Sequence, residues 1–437
     1  MKYLAIILSL AALPSLAAEA QGFYWNSASA NSVALGGVYV PSSAGALDAI
    51  ATNPAGLSEL KRPVLNVNAT AAFARGSFSN SANTNAPMRT APGMIPMGAF
   101  AMPIGKTHLT LGIAETPELT SVSKWYYTDA PGTAGATYGF QENRSAILAT
   151  RSALAGSYVF GSRVAVGASV GVDYNSNALH GPYIFQSQPV VKGLKTLLDL
   201  YTNGVGMNGS VGVLLNPAKH LRLGVSWKSK TTINSTGTAT GNLGAQLIAA
   251  GLAGARPDFA YKAAVPVTLP QSATANIIWN VKPRWTVAMQ GEWIDWKPAF
   301  NTLNVHLTEG NNADVNGLIG SSSLNDGIPL DWKSQYPVRM GVEHTVSESA
   351  VVRAGFAHTN NAVPSSTVMP LTAAIFQNQI SAGAGWHRGH LVLDGSYAYT
   401  PNATENVGVS ALQAGEYSNS RISVGLQTVS ASATYVF

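Results

Sequence analysis

Apolar and polar residues alternate along the chain between residues 163 and 175. One face of this stretch carries Val164, Val166, Ala168, Val170, Val172 and Tyr174, whereas Asp173 lies on the opposite face, which is small or polar. A repeat of two residues places successive side chains on opposite faces of the backbone, so the stretch predicts a β-strand. In a soluble protein the apolar face would point into a core. In a membrane barrel it would face lipid, and the polar face would line a wet lumen. The pattern alone leaves both alternatives open.

Segments with this alternation recur from residue 62 to the end of the chain. The clearest of them are residues 65–71, 94–104, 109–113, 205–215, 221–232, 273–281, 285–293, 338–346, 351–358, 379–386, 391–399 and 422–437. Only 11% of the 437 residues are charged, which is less than half of the ~25% typical of soluble proteins. No internal apolar run approaches the ~20 residues of a membrane helix. We therefore predict an all-β fold, a transmembrane antiparallel β-barrel of about 14 strands formed by residues 61–437, with a secreted soluble β protein as the alternative.

The start of the chain has the features of a secretory signal peptide over residues 1–20. Lys2 precedes an apolar core at residues 3–13, and Ala18-Glu19-Ala20 is a small-x-small cleavage site. The mature chain would then begin at Gln21. This exported chain has no cysteine, so we expect its stability to come from a closed, hydrogen-bonded sheet rather than from disulfides.

Residues 21–60 are rich in glycine, alanine and serine and lack the alternation. Asn53-Pro54-Ala55-Gly56 predicts a corner, because a proline ring pushes the preceding residue out of the helical region. Asp48 is placed to cap a short helical turn that leads into this corner. We predict that residues 21–60 form a compact plug, or hatch, inside the barrel. An ordinary surface turn is the alternative for the Asn-Pro corner.

Pro117 interrupts the strand that begins at Leu109. Proline cannot donate to the ladder, so the strand must kink or bulge there, or end at a turn. Near the C-terminus, Ile422, Val424 and Leu426 have the opposite parity from the later apolar residues, which predicts a bulge near Gln427 or Thr428.

Two outer segments predict short amphipathic helices, residues 191–201 and residues 243–252. Tryptophans near the predicted strand ends suit the aromatic girdles of a membrane barrel, with ordinary core packing as the alternative. They are Trp125, Trp279, Trp285, Trp293, Trp296, Trp332 and Trp386.

Several charged residues share the polar faces of their strands, and we expect them to face the lumen and to pair around the hatch, because a charge on the lipid face costs ~2–4 kcal/mol near the midplane. They are Asp173, Glu292, Arg339, Glu343, Arg353 and Asp394.

Catalytic chemistry is not indicated. The eight histidines are scattered, and the sequence contains no nucleophile elbow, Walker loop or dinucleotide fingerprint. His387 and His390 suit a hairpin tip better than a metal site. We expect no enzyme activity, no cofactor and no metal. The net charge of +5 is spread along the chain and does not indicate a nucleic-acid partner.

The order of these motifs resembles the FadL family of outer-membrane transporters for long-chain fatty acids and other hydrophobic compounds. Gly22, Phe23, Asp48 and residues 53–57 resemble the start of that family. Glu292-Trp293-Ile294-Asp295-Trp296 resembles its Trp-x-x-Trp strand, residues 331–341 its Trp-Lys-Asp-x-Tyr-Arg strand, and Arg353-Ala354-Gly355 its Arg-x-Gly strand.

The resemblance implies a monomeric barrel in the outer membrane of a Gram-negative bacterium, in contact with lipid and lipopolysaccharide. It also implies diffusion-driven uptake of a hydrophobic ligand through a lumen pocket gated by the hatch. Lys333 matches a position that meets the ligand's carboxylate, but the expected second basic residue is missing at residues 173–177, which favours a neutral hydrocarbon. The family's kinked strand corresponds to the one containing Glu115 and Pro117, which suggests a lateral exit there. A general porin or an adhesin barrel is the alternative, and it predicts an open lumen.

Overall fold

The computed structural model describes residues 27–437. The predicted signal peptide and the hatch residues Gly22 and Phe23 lie outside the described residues. Nineteen strands form one sheet. They are β1 (Val64–Asn80), β2 (Asn83–Pro87), β3 (Gly93–Pro103), β4 (Leu109–Thr128), β5 (Phe140–Phe160), β6 (Val164–Ile184), β7 (Lys195–Ala218), β8 (Leu221–Lys228), β9 (Thr231–Asn242), β10 (Asp258–Leu269), β11 (Ser272–Lys282), β12 (Trp285–Ile294), β13 (Thr302–Thr308), β14 (Leu324–Pro329), β15 (Val338–Ser347), β16 (Ala350–His358), β17 (Asn378–Arg388), β18 (Leu391–Val407) and β19 (Ser420–Val436).

Fourteen of these strands close into an antiparallel barrel, which confirms the predicted fold class. Around the barrel the order is β1, β3 to β8, β11, β12, β15 to β19 and back to β1. Closure is made by the first and last strands, which pair from Val64 opposite Val436 to Ser79 opposite Arg421. Closure gives every wall strand a neighbour on both sides, which is how a barrel pairs its backbone groups in a membrane.

The alternation on β6 has the orientation expected of a membrane barrel. Val170, Val172 and Tyr174 are exposed on the outside, whereas Asp173 and Asn175 are fully buried inside. The apolar face of the strand is therefore its lipid face.

The remaining five strands extend the sheet beyond the barrel at one end. β9 pairs with the first residues of β7, β10 pairs with β9, and β13 and β14 continue this extension. The longer connections lie at this end, as they do on the outer side of such barrels.

Short helices complete the outer end and the hatch. They are Ala30–Ala34, Ala46–Thr52, Gly244–Ala249, Trp296–Ala299 and Ala313–Ile319, with 3₁₀ turns at Pro54–Glu59, Thr133–Gly135, Pro370–Thr372 and Gln413–Gly415. The predicted helix within residues 243–252 is confirmed. Among residues 27–437, none of the helices is long and apolar enough to span a membrane.

The helix predicted at residues 191–201 is wrong, because β7 begins at Lys195 and pairs with β6 and β9 there. Leu198 and Leu200 both lie on the inner face of β7, where they line an apolar cavity. The helical spacing of the leucines reflects apolar residues on both faces of a strand rather than one face of a helix.

The bulge predicted near Gln427 or Thr428 is also wrong. The register between β1 and β19 runs without interruption through these residues. The irregularity nearby lies on the other side of β19, where its register with β18 shifts between Thr400, opposite Leu426, and Ala403, opposite Val424. Ile422, Val424 and Leu426 share the inner face with Thr428, and what changes along the strand is the lumen, which is apolar in its outer half and polar below.

The girdle prediction holds for only part of the tryptophans. Trp279, Trp285 and Trp386 are exposed on the outer surface. In contrast, Trp125, Trp296 and Trp332 are buried inside, so the prediction is wrong for these three and the core alternative applies.

Candidate functional site

The hatch segment, residues 27–60, is held inside the barrel by contacts with strands around its whole circumference. The Ala30 amide donates to Asn68 Oδ1 of β1 (3.0 Å) and to Ser432 Oγ of β19 (2.8 Å). On the opposite side, the Tyr39 amide donates to Gln290 Oε1 of β12 (2.9 Å). Most of the segment is buried, so it fills the lower lumen.

The Asn-Pro corner packs against wall strands β6, β7 and β8. Asn53 Nδ2 donates to the carbonyl oxygens of Val213 on β7 (3.1 Å) and Val225 on β8 (3.3 Å). Glycine permits this approach, because a Cβ at Gly167 would lie 2.3 Å from the Ala55 nitrogen, and one at Gly212 would lie 2.0 Å from Asn53 Oδ1.

The other end of the hatch makes a similar close contact with β16. A Cβ at Gly355 would lie 2.1 Å from the Gly36 nitrogen. Within the hatch, Gly56 gives room to the Tyr39 ring, whose hydroxyl would lie 1.6 Å from an added Cβ. Glycines in the wall and in the hatch thus let two backbones touch.

Asp48 does not cap its helix, since the N-cap of Ala46–Thr52 is Gly45. The Asp48 carboxylate instead accepts hydrogen bonds from Ser29 Oγ (2.5 Å) and Ser32 Oγ (2.7 Å). It therefore ties the two hatch helices together.

The predicted lumen charges form two groups. On one side of the barrel, Arg339 Nη2 lies 2.9 Å from Glu292 Oε2, and Arg353 lies 2.7 Å from Glu343 and 2.6 Å from Asp394. Asp173 belongs to a separate group on β4 to β9.

In this second group, Asp173 accepts hydrogen bonds from Asn208 Nδ2 (2.7 Å) and from Thr231 Oγ1. Asn208 also accepts from Arg151 Nε, and Glu118 pairs with Lys228. The sequence did not single out Glu118 or Lys228, because they lie 110 residues apart and meet only through the closure of the wall.

Above the hatch lies an apolar space, here called the central cavity. Its lining is mostly leucine, isoleucine, valine and aromatic side chains, including Ile147, Leu179, Leu200, Val267, Phe300, Leu303, Ile328, Leu330, Trp332, Met369, Leu371 and Leu412. The tryptophans of the two sequence motifs meet here, with the ring centroids of Trp296 and Trp332 5.0 Å apart and Phe300 beside both.

Acidic groups occur at the edge of the central cavity, and no lysine or arginine is among the described residues that line it. Asp326 accepts hydrogen bonds from Tyr183 and from the backbone amides of Gln186 and Ser187. The other acid, Glu416, lies 3.8 Å from Lys195 Nζ. Among the described residues of the lining, the remaining basic side chain is His180, and its Nδ1 already lies 2.7 Å from Asp199 Oδ1. A ligand carboxylate would therefore meet no unpaired cation there.

Burial raises the pKa of Glu416 to about 7, an effect that Lys195 opposes and Asp129 increases. Lys195 is closer to Asp129, at 2.7 Å, than to Glu416. Sequence reasoning missed Glu416, since only the fold brings residues 129, 195 and 416 together.

A second apolar space, here called the outer groove, lies under the loop helices Gly244–Ala249 and Ala313–Ile319. Leu252 and Leu318 on its rim are more than half exposed. Four residues line both the outer groove and the central cavity: Phe185, Phe259, Leu307 and Leu324. The two spaces are therefore neighbours that share these four side chains.

The barrel wall is interrupted beside Pro117. β3 pairs with β4 only up to Gly98 opposite Glu115, and the next backbone bond across this seam in the described residues joins the Arg89 amide to the Lys124 carbonyl (2.7 Å). The stretch between these two contacts is here called the wall gap.

The register between β4 and β5 shifts between Pro117 and Leu119, so β4 continues past the proline through a β-bulge rather than ending there. Glu118 is the extra residue, and it is buried against Lys228. Glu115 pairs with Ser152 on the neighbouring strand.

Lys333 does not line the central cavity. It is exposed, and its backbone amide donates to the Ala362 carbonyl (2.8 Å). Its neighbour Trp332 lines the cavity instead.

The family model described as outer membrane protein transport protein (OMPP1/FadL/TodX) matches residues 11–437 of the chain. Among curated proteins, none is similar enough in sequence to count as a match.

Three similar solved structures share the fold. A FadL homologue from Pseudomonas aeruginosa is 15% identical, with a TM-score of 0.73 over 95% of this chain and 100% of that one. The toluene transporter TodX from Pseudomonas putida is 17% identical, with a TM-score of 0.74 over 95% and 100%. The toluene transporter TbuX from Ralstonia pickettii is 16% identical, with a TM-score of 0.73 over 94% and 99%.

Proposed function

The chain belongs to the outer-membrane transport protein family of FadL and TodX, and from this premise we propose that it takes up neutral hydrophobic compounds across the outer membrane. The single observation that carries the proposal is the central cavity, an apolar space inside a membrane barrel with no cation among the described residues of its lining. Transfer of an apolar surface from water into such a space is favourable by roughly 25 cal/mol per Å².

The ligand class follows from the charges at the cavity. Asp326 and Glu416 would repel a fatty-acid carboxylate, and Lys333 is exposed outside the lining. Toluene, the cargo named for two of the similar transporters, fits this chemistry. A role of Lys333 in binding a carboxylate stays a prediction, and the cavity does not favour it.

The route begins at the outer groove and passes the four shared side chains into the central cavity. The described hatch segment, residues 27–60, fills the lumen below, and its polar contacts give an apolar ligand no favourable path to the periplasm. An open porin would need an empty lumen, which the buried hatch argues against.

We propose that the barrel works as a monomer and that ligand leaves sideways through the wall gap into lipid.

Disulfides that close the wall gap test this exit. The sequence has no cysteine, so engineered pairs are unambiguous. Met97→Cys with Thr116→Cys extends the ladder by one pair beyond Gly98 and Glu115. Thr90→Cys with Ser123→Cys closes the gap from the other side, two residues along each chain from the bridge between Met88 and Trp125. We expect each oxidised pair to slow the uptake of radiolabelled toluene by cells, the two pairs together to abolish it, and reduction to restore it.

The matched control is Val342→Cys with Ala354→Cys, which lie opposite each other in the intact ladder of β15 and β16. This pair should leave uptake unchanged in both redox states. Normal uptake by the doubly cross-linked barrel would show that the ligand does not leave through the wall gap.

A further inference from the structure

A third, smaller apolar space lies directly behind the wall gap and is here called the wall chamber. Ala91 and Val122 border it on the two sides of the gap, and Ala74 and Leu426 line it from β1 and β19. None of the described residues that line the wall chamber carries a charge. Its chemistry therefore suits the same neutral apolar ligand as the central cavity.

One side chain stands between the two spaces. Leu371 lines both the central cavity and the wall chamber and is buried. A ligand in the cavity that displaced Leu371 would enter the chamber without contacting water.

Leu371 belongs to residues 368–376, here called the inner segment, which connects β16 to β17 by way of the lumen. Val368, Ala374 and Ile375 are fully buried, and Phe376 and Ala373 line the chamber. In the described part of the chain, one hydrogen bond joins the inner segment to a wall strand, from Ser123 Oγ to the Leu371 carbonyl (3.3 Å).

The residues on either side of the chamber differ in how firmly they are held. β1 and β19 are bonded along their whole length, whereas the inner segment is held by apolar packing, which is non-directional and persists if the segment shifts. Elements with few backbone hydrogen bonds to their surroundings open at the lowest free energy. Of the elements that bound the chamber, the inner segment is therefore the one expected to move at the lowest cost in free energy.

We propose that the wall chamber is a second binding site for the hydrophobic ligand, and that the inner segment is a door between this site and the central cavity. The inference rests on the proposed lateral exit and adds a step to it. The ligand passes Leu371, occupies the chamber, and then leaves between β3 and β4 into lipid.

A tryptophan placed in the chamber tests the second site. Ala74 lines the chamber and is half-buried, so Ala74→Trp should fill it while leaving the central cavity intact. We expect toluene uptake by cells to fall at least tenfold, and toluene binding to the purified barrel to stay within twofold of wild type. The matched control is Ala71→Trp on the same strand, opposite the exposed Met94 and Val429, and it should change neither quantity.

A second measurement locates the ligand directly. Crystals of the Leu371→Ala variant soaked in bromobenzene should give anomalous bromine peaks in the central cavity and in the wall chamber. The Ala74→Trp variant should keep the first peak and lose the second. Migration as a heat-modifiable barrel on gels verifies that each variant is folded.

The possible outcomes distinguish a failure of the wall chamber proposal from a failure of the lateral exit proposal. If the doubly cross-linked wall gap blocks uptake but Ala74→Trp transports normally, the chamber and its door are wrong and the lateral exit stands. If neither change slows uptake, both are wrong. A bromine peak confined to the central cavity of the Leu371→Ala variant would also overturn the chamber as a binding site.

Discussion

At the scale of single residues, the hatch and the cavity depend on different kinds of contact. The hatch is positioned by glycines that admit its backbone and by amide side chains that bind it, such as Gly167 and Asn53. The central cavity differs in that its lining offers a ligand no charged partner. Its two acids already have protein partners, and no lysine or arginine is among the described residues of its lining. Asn53, Pro54 and Gly56 were recognisable as a corner from the sequence, but Gly167 and Gly212 read only as small residues on the polar face of a strand.

The contact between Gly167 and the hatch predicts a leak when it is disturbed. Gly167→Ala places a Cβ against backbone atoms of Ala55, and overpacking of this kind costs about 1–3 kcal/mol. We expect the hatch to shift and the ion conductance of planar bilayers containing the protein to rise severalfold. Gly209→Ala is the matched control, since its Cβ would meet an ordinary contact at 3.4 Å. Equal, low conductance of both variants would mean that this contact does not keep the lumen closed.

Glu416 predicts a pH dependence of ligand binding. Burial raises the pKa of its carboxyl from 4.5 to about 7, with Lys195 opposing and Asp129 adding to the shift, and the buried Tyr417 lies next to it in the chain. Because the folded pKa is raised, the protonated form is favoured in the fold, and stability from this group decreases as the pH rises from 4.5 towards 7. Protonation removes a charge at the edge of the apolar lining, so neutral ligands should bind more tightly below pH 7.

Calorimetric titration of the purified barrel with toluene between pH 6 and pH 8 measures this effect. We expect the dissociation constant to rise severalfold with pH in the wild type and to stay constant in Glu416→Gln. His180 also lines the cavity, so a pH dependence that survives in Glu416→Gln would assign it to another group and contradict the role of Glu416.

At the scale of elements, the lumen has two tiers. The inner face of β1 carries Asn66, Asn68 and Thr70 beside the hatch and then Ala72 and Ala74 beside the wall chamber. The inner face of β19 changes in the same way from polar to apolar. On these two strands the inner face is therefore polar beside the hatch and apolar beside the wall chamber.

This arrangement explains which elements the sequence predicted correctly. Strands such as β6, with a polar inner face, were recognised by their period of two. Pro117 correctly predicted an irregularity, since a missing amide must interrupt a ladder. The errors at residues 191–201 and at Gln427 and Thr428 fall where apolar side chains line the cavity or the chamber, because an apolar inner face removes the alternation on which the prediction depends.

At the scale of the whole molecule, closure of the wall creates the apolar spaces and the wall gap, which the sequence could not show. The central cavity is lined by residues that range in sequence from Ser145 to Tyr417. The wall gap arises because the pairing between β3 and β4 stops at Gly98 and Glu115. Family resemblance and alternation predicted the barrel and its hatch region, but not the three apolar spaces, since these depend on contacts between residues far apart in the chain. From the outer surface to the wall, the three spaces follow one another as outer groove, central cavity and wall chamber. A hydrophobic ligand would pass them in this order.

The central claim is uptake of neutral hydrophobic compounds, and a comparison of two radiolabelled probes tests it most directly. Cells that lack other transporters of this family and produce the full chain are supplied with toluene or with the carboxylate oleate, and initial uptake is measured against cells without the protein. The account predicts that toluene uptake rises at least tenfold while oleate uptake does not change, because the cavity offers apolar surface and no cation. Uptake of oleate in preference to toluene, or of neither, would contradict the account.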